Sequence, residues 1–394
     1  MRNNTAAAGP GRIRALNRKA VLAYIRKNGP TPRSDLIPAL KLSAAGVSSV
    51  TNELVNNALL RADLPGAGSD LGARGRPKSP LALNPDAAYA LGLRLQPVDG
   101  RCRIQMAWID YAGQIRQLEP LVFDDFKRAD GVIDAVRSAL SILEQAVPDS
   151  RRIRSAAVAI PGVVTRDDVL FAPALEVIVG RSFASAIASQ IDYPIALAND
   201  VNLAVLSELH AQPRLSQLNF AYLYIGAGIG AGLGLRGQLW TANGWEGEVG
   251  HVCINRGSEP RASFETLLSP SKAFAAETKR LGLAPDNLGA IADAAAGGDQ
   301  ATKAVLNEYA QILCELILVL VAVPGLDEVI IDFPSDRLFS HLRPILEGLI
   351  SAQPLKVAIS SPAEDDGAAV RGAAISALDV TIEQVELTTF TQAS

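Results

Sequence analysis

Apolar positions at helical spacing dominate the first sixty residues. Between residues 14 and 27, Leu16, Ala20, Val21, Tyr24 and Ile25 recur on one helical face, and Asn28-Gly29-Pro30 supplies the stop. Thr31-Pro32 predicts a new helix, as N-cap and first-turn proline, running to about Leu40 and kept short or bent by Pro38. Ser43 predicts the cap of a third helix reaching about Leu60, with Val47, Val50, Leu54 and Leu59 inward and Ser48, Ser49, Thr51 and Asn52 more outward. Residues 63–80 are rich in Gly and Pro and contain Arg74-Gly75-Arg76-Pro77-Lys78, after which Leu81-Ala82-Leu83 reads as a strand. Three short helices, the third with small polar residues on its open face, followed by a hairpin, describe a winged helix-turn-helix over residues 14–83. Residues 1–13 read as a disordered arm.

Further along, strand runs alternate with a helix. Residues 90–95, 103–110 and 156–160 are strand-like, 131–146 has helical periodicity, and 221–225 is a buried strand entering a glycine-rich turn. Such alternation predicts α/β layers, and 394 residues exceed what one core supports. The most apolar run, residues 312–324, contains Glu315 and predicts a buried helix too short to cross a bilayer.

Charge divides the chain. Residues 1–80 carry 13 Lys and Arg against 4 Asp and Glu, which leaves 24 against 37 for the remaining 314. A basic module that meets a polyanion is thus joined to an acidic body that does not. Cys102, Cys253 and Cys314 are far apart and have no metal-ligand spacing, which fits a reducing cytoplasm. The N-terminus is polar, without the apolar segment of a secretory signal.

Candidate chemistry centres on Asn243-Gly-Trp-Glu-Gly-Glu-Val-Gly-His251, where Glu248 and His251 stand three apart among glycines. Asn199 and Asp200 lie upstream and Glu265 downstream. If these five converge, amide, carboxylates and imidazole make a pocket suited to a sugar, whose hydroxyls both donate and accept. The blander alternative has Asn199-Asp200 capping the next helix and Glu248 with His251 stabilising a lobe interface.

Several motifs in one order resemble the ROK family of repressors, open reading frames and kinases: Gly75-Arg76-Pro77 at the wing, then Ala159-Ile-Pro-Gly-Val-Val164, Asn199-Asp-Val-Asn202, Gly226-Ala-Gly-Ile-Gly-Ala-Gly232, Gly247-Glu-Val-Gly-His251 and Gly372-Ala-Ala374. The resemblance implies an actin-like, ribonuclease H-like body of two lobes. One lobe spans 84–200 with the final helix 370–394 packed back on it, and the other spans 201–369. It also implies that Asn199, Asp200, Glu248, His251 and Glu265 contact sugar, with Asp200 at the position of the kinases' general base. The kinase parts depart from the pattern. The first phosphate loop, Asp-x-Gly-Gly-Thr in kinases, is here Arg94-Leu-Gln-Pro-Val98; the second carries Ala227 for Thr; and the Gly-Gly against adenosine is replaced within Ile331-Asp-Phe-Pro334. Arg256, Ser258 and Ser263 stand where zinc-binding cysteines would, so no metal and no cofactor are expected. Pro173-Ala174-Leu175 lacks the family's asparagine, which changes the sugar or makes the pocket less polar.

The expectation is a cytoplasmic sugar-responsive transcriptional regulator of carbohydrate metabolism, a repressor rather than an enzyme, binding double-stranded operator DNA as a homodimer, with pairing into tetramers left open. Ser43, Ser48, Ser49, Thr51 and Asn52 would approach the major groove, and Arg74, Arg76 and Lys78 the minor groove or backbone. The alternatives are a sugar kinase with an accessory DNA-binding domain and a DNA-binding dimer indifferent to ligand. Asp365 and Asp366 are assigned to a solvated loop.

Overall fold

The computed structural model describes residues 10–62, 79–98, 100–165, 168–180, 183–255, 261–364 and 366–391. Its first unit holds α1 (Pro10–Asn28), α2 (Arg33–Leu40) and α3 (Ala44–Asn56). Residues 10–13, expected in the arm, therefore belong to α1, and residues 1–9 lie outside the described part. The helix α2 starts one residue later than expected, with Pro32 and not Thr31 at its N-cap and no side-chain cap, and Thr31-Pro32 also takes a second role. It forms β1 (Thr31–Pro32), pairing antiparallel with Leu81 and Pro80, because the extended backbone of Pro32 (φ −63°, ψ 147°) suits a strand edge as well as a helix entry. The third helix stops at Asn56 rather than Leu60. Ala58 turns the chain at φ 56°, and Leu60 enters β2 (Leu60–Arg61), which flanks β3 (Pro80–Leu83) in a sheet of order β1-β3-β2. The β2–β3 pair is the base of a wing; Arg74, Arg76 and Lys78 fall outside the described residues.

The body begins with β4 (Tyr89–Val98), β5 (Arg101–Asp110) and β6 (Ile115–Phe123), followed by α4 (Ala129–Ala146) and β7 (Ile153–Ile160). A small ribbon, β8 (Val163–Val164) and β9 (Val169–Phe171), then leads through α5 (Phe183–Ala188) to β10 (Ile195–Asn199) and α6 (Asp200–Ala211). The lobe sheet runs β10-β7-β4-β5-β6, with β4 antiparallel to β5 and parallel to β7. Strand β6 escaped the sequence reading because, at the sheet edge, it interleaves Arg116, Gln117 and Glu119 with its apolar residues.

The second lobe has a sheet of order β13-β12-β11-β16-β17. Its leading strands are β11 (Asn219–Ile225), β12 (Ile229–Leu235) and β13 (Gln238–Trp240), and a two-stranded ribbon follows as β14 (Cys253–Ile254) and β15 (Ala262–Ser263). The helical layer comprises α7 (Phe264–Leu268), α8 (Pro270–Ala273), α9 (Ala275–Arg280), α10 (Leu288–Ala296), α11 (Gln300–Ala322) and α12 (Asp336–Ser351), and β16 (Glu328–Asp332) and β17 (Ala358–Ser360) complete the sheet. At 23 residues α11 is longer than the apolar run read from sequence, and by length and composition alone it could cross a membrane. Leu306, Leu313, Leu316 and Ile317 are fully buried in this lobe's core instead.

The last helix, α13 (Ala368–Thr391), packs on the first lobe. Ala90, Ala107, Ala157 and Ala159 of the sheet face Ala373, Ala374 and Ala377 of α13. The approach is so close that a Cβ on Gly372 would lie 1.7 Å from the Leu203 carbonyl oxygen, so only glycine fits there. Further along, Ile382 and Val385 of α13 pack with Tyr111 against Val21, Leu36, Leu54 and Leu81 of the winged unit, so that unit shares a core with the body.

Candidate functional site

All five residues of the expected sugar set line one cavity of about 270 Å³ between the lobes. Asn199 and Asp200 reach it from the β10–α6 junction, where the strand's carboxyl end passes directly into a helix. Glu248 and His251 come from the loop after β13, and Glu265 from the first turn of α7. Gly247 makes this loop possible: its φ is +83°, and a Cβ would sit 1.5 Å from the Ala231 carbonyl oxygen.

The five side chains are not equally free. Asn199 uses its Oδ1 to accept from the Asn202 amide at 2.9 Å and its Nδ2 to donate to the Gly162 carbonyl at 2.8 Å. Asn199 is therefore the N-cap of α6, the blander of its two readings, and one Oδ1 lone pair and one Nδ2–H are left uncommitted by these two bonds. Asp200 is 5% exposed, and Arg94 Nη2 donates to its Oδ2 at 3.0 Å. Arg94, itself 9% exposed, also lies over the Tyr224 ring, its guanidinium carbon 5.9 Å from the centroid. The sequence reading saw that an arginine had replaced a phosphate-loop acid but not that it would reach across to Asp200. These positions are 106 residues apart, and only the side-by-side placement of β4, β7 and β10 brings them together.

Glu248 and His251 are the most available pair. The His251 Nε2 stands 3.5 Å from Glu248 Oε2, and the imidazole is nearly half exposed. Burial pushes the Glu248 carboxyl up from its ordinary value, partly opposed by His251 and reinforced by Asp200 and Glu265. Glu265 is bridged by Lys272 Nζ at 3.2 Å. Phe171 is a lining residue the sequence reading missed. It stacks on Trp245 (6.1 Å between centroids, 24° between planes) and meets His251 edge-on at 5.6 Å. Ala174 lies on the same wall. Among the described residues no three His, Cys, Asp or Glu side chains converge as a metal site; Arg256 and Ser258 lie outside them, and Ser263 caps α7 by accepting from the Thr266 amide.

A second cavity of about 470 Å³ adjoins the first and shares Arg94, Gln96, Asp200, Val201 and Tyr224 with it. Asp366 lies in an exposed loop, as expected, and this loop also touches the sheet at the cavity: Asp366 accepts from Gln105 Nε2 at 2.8 Å and from Arg103 at 3.3 Å, while Asp365 lies outside the described residues.

In the winged unit Ser43 caps α3, its Oγ accepting from the Gly46 amide at 3.0 Å, and Ser48, Ser49 and Asn52 are exposed. Thr51 corrects the sequence reading. It is completely buried, donating to the Val47 carbonyl at 2.8 Å and accepting from Arg33 Nε at 2.9 Å, so it cannot touch DNA. A threonine hydroxyl bonding back one turn satisfies itself inside the helix, which lets it face inward. Arg33 also donates to Asn52 Oδ1 at 3.3 Å and stands beside the exposed face of α3. Its place in a helix's first turn, where cations are disfavoured, was the unused signal.

The ROK family profile matches residues 98–380. This chain belongs to the ROK family. A xylose repressor of Caldicellulosiruptor bescii is 25% identical over 253 residues, which is 62% of this chain and 60% of that protein. The aligned stretch thus spans under two thirds of that relative. A crystal structure of a ROK family transcriptional regulator, homologous to the E. coli MLC protein, superposes over 96% of this chain and 99% of its own with TM-score 0.75 at 23% identity. The likeness establishes a mixed α/β fold with an N-terminal winged helix-turn-helix and an actin-like body. A ROK glucokinase from Streptomyces griseus with glucose and AMPPNP covers 74% of this chain and all of its own, at TM-score 0.59 and 17% identity. Regulators and kinases therefore share the body, and the fold alone does not choose between them.

Proposed function

We propose that this ROK protein is a sugar-responsive DNA-binding transcriptional repressor of carbohydrate metabolism genes and not a kinase. The observation that carries the reading is the buried Arg94–Asp200 ion pair in a body attached to a winged helix-turn-helix. Phosphoryl transfer needs a base free to meet the sugar hydroxyl and a nucleotide held in line with it. Here the carboxylate at the base position is engaged by a guanidinium, and that guanidinium stands where the phosphate loop would begin. A pocket relieved of catalysis can still bind. Glu248, His251 and Glu265 offer acceptors and a donor to hydroxyls, while the Asn199 amide and Asp200 shape the floor.

The xylose repressor relative supports operator DNA and a sugar as partners, and a cytoplasmic location follows from that role. Ser48, Ser49 and Asn52 of α3 would enter the major groove with Arg33 at their side, and Arg74, Arg76 and Lys78 would contact the wing's groove and backbone. A homodimer would set two α3 helices on a two-fold operator. The sugar would act through its differential affinity for two arrangements of the lobes. The test is fluorescence anisotropy on a labelled fragment of the protein's own upstream DNA, with and without a panel of mono- and disaccharides. A shift of tenfold or more by one sugar, about 1.4 kcal/mol of coupling, is expected. DNA binding that no sugar alters refutes ligand control, and ATP-dependent turnover of any sugar refutes the repressor-only reading.

A further inference from the structure

The 470 Å³ cavity is lined by Ile331, Asp332, Phe333 and Pro334, the stretch that replaces the kinases' Gly-Gly against adenosine, yet its chemistry suits no nucleotide. Five carboxylates, Asp332 and Asp366 among them, face two arginines, and both arginines are already engaged, Arg94 by Asp200 and Arg103 by Asp366. A triphosphate would meet a net negative field with no free cation among the described lining residues. Two buried polar atoms on the wall shared with the smaller cavity nevertheless lack partners among the described residues: Arg94 Nε, a donor on a side chain nine-tenths buried, and Gln96 Oε1, an acceptor. Buried groups left unpaired cost stability, and a hydroxyl is the simplest group that answers both kinds. On the far wall Asp332, a lining residue, accepts from the Tyr222 hydroxyl at 2.8 Å through Oδ2, and Tyr224, Phe333 and Phe339 also line the cavity with aromatic rings.

We propose that this larger cavity is the second subsite of the effector, holding the second ring of a disaccharide-sized neutral glycoside whose first ring lies among Glu248, His251 and Glu265. The inference rests on the sugar-binding reading above and adds the length of the ligand to it. Three features carry it. The second cavity is larger than the one assigned to the first ring, so it has room for another. The two cavities meet along a common wall whose unpaired donor and acceptor lie at the junction, where a glycosidic oxygen and its neighbouring hydroxyls would sit. Carboxylate acceptors and aromatic rings together match the hydroxyl edge and C–H face of a sugar ring, as the acceptors in the smaller cavity do.

The experiment is isothermal titration calorimetry on the full chain with matched pairs: xylose and xylobiose, glucose with maltose and cellobiose, N-acetylglucosamine and its β1,4 dimer, and ATP as a control. One disaccharide is expected to bind at least tenfold tighter than its monosaccharide, and ATP not at all. Asp332→Ala and Ser361→Trp, the latter at an exposed rim position that can fill the second cavity without disturbing a core, should each abolish the length advantage while leaving monosaccharide affinity within twofold. His251→Ala should weaken both lengths. Monosaccharides binding as tightly as every disaccharide, or an advantage that survives both cavity variants, overturns the second subsite and leaves the sugar reading standing. No binding by any saccharide overturns both.

Discussion

Breaking the Arg94–Asp200 pair is the sharpest test of how this cleft differs from a kinase's. The two side chains are 10% and 7% exposed, so solvent screens their contact little, and each would be stranded as a buried charge by loss of the other. Removing one member of such a pair typically costs about 3–5 kcal/mol, whereas replacing both by apolar residues is often close to neutral. Arg94→Leu and Asp200→Leu should each be strongly destabilising, and the double variant should recover most of the loss. At roughly 2–4 °C per kcal/mol for a domain of 150–250 residues, each single variant should lower Tm by about 6–20 °C. Differential scanning calorimetry reads this directly, with the body transition tracked by fluorescence of Trp108, which is buried in the first lobe's core. The diagnostic quantity is the coupling energy. A double variant whose loss equals the sum of the single losses would mean that the two charges do not stabilise one another, and the ion-pair account of the cleft would be wrong.

Four further outcomes follow from particular contacts. Gly372→Ala should destabilise the body by at least about 3 kcal/mol, because its methyl meets the Leu203 carbonyl and backbone cannot yield as a side chain can; unchanged urea denaturation would refute the packing of α13. Ser43→Ala should cost about 1 kcal/mol by removing the cap of α3, measured by thermal melting of the full chain. Arg76→Ala should weaken operator binding and reduce its salt dependence by about one phosphate equivalent, read from anisotropy across a potassium chloride series. Sugar affinity should fall with acidification from a higher pH than an ordinary carboxylate would give, because burial raises the Glu248 pKa and the anion is the stronger acceptor of hydroxyls; Glu248→Gln should flatten that profile. The linkage has the opposite sign for folding: the native state holds the Glu248 proton more tightly than the unfolded chain does, so this group's contribution to stability decreases as pH rises from the ordinary value through the raised one.

The pattern of apolar residues made the helices and the buried strands of this fold legible: Val47, Val50 and Leu54 answer to one neighbouring surface, and the continuous run 156–160 within β7 is buried on both faces, Ala156, Val158 and Ile160 in the lobe core and Ala157 and Ala159 against α13. Boundaries failed where a distant partner decided them. Thr31-Pro32 marks the helix start to within a residue, and the ladder offered by Leu81 moved the cap from Thr31 to Pro32. Thr51 was misplaced because a hydroxyl reads as polar in a pattern although a threonine can satisfy itself against the preceding turn. In the cleft the residue types at the five positions were readable from ordered motifs. Their division of labour was not: that Asn199 spends its amide on a cap and Asp200 its Oδ2 on Arg94 depends on distances across strands.

The same geometry limits how a ligand can speak to DNA. Helix α13 lies with Ala373 and Ala374 against the first lobe's sheet and α6, and it ends with Ile382 and Val385 inside the core that also holds Leu54 of α3. Arg26 of α1 rests over the Tyr111 ring at 5.2 Å and neighbours Asp379 of α13, whose carboxyl burial raises and Arg26 lowers. The winged unit is therefore not a bead on a tether; it is packed on the helix that also backs β4 and α6, the two elements that bring Arg94 and Asp200 to the cleft. A ligand that shifts α6 relative to the sheet must either carry α13 with it or open a contact in which Gly372 has no slack. Carrying α13 reorients the winged unit, because Ile382 cannot move without repacking Leu54's neighbours. Under the proposed function, the size of that response is bounded by the difference in ligand affinity between the two arrangements, so a ligand that discriminates weakly between them would switch nothing however tightly it bound.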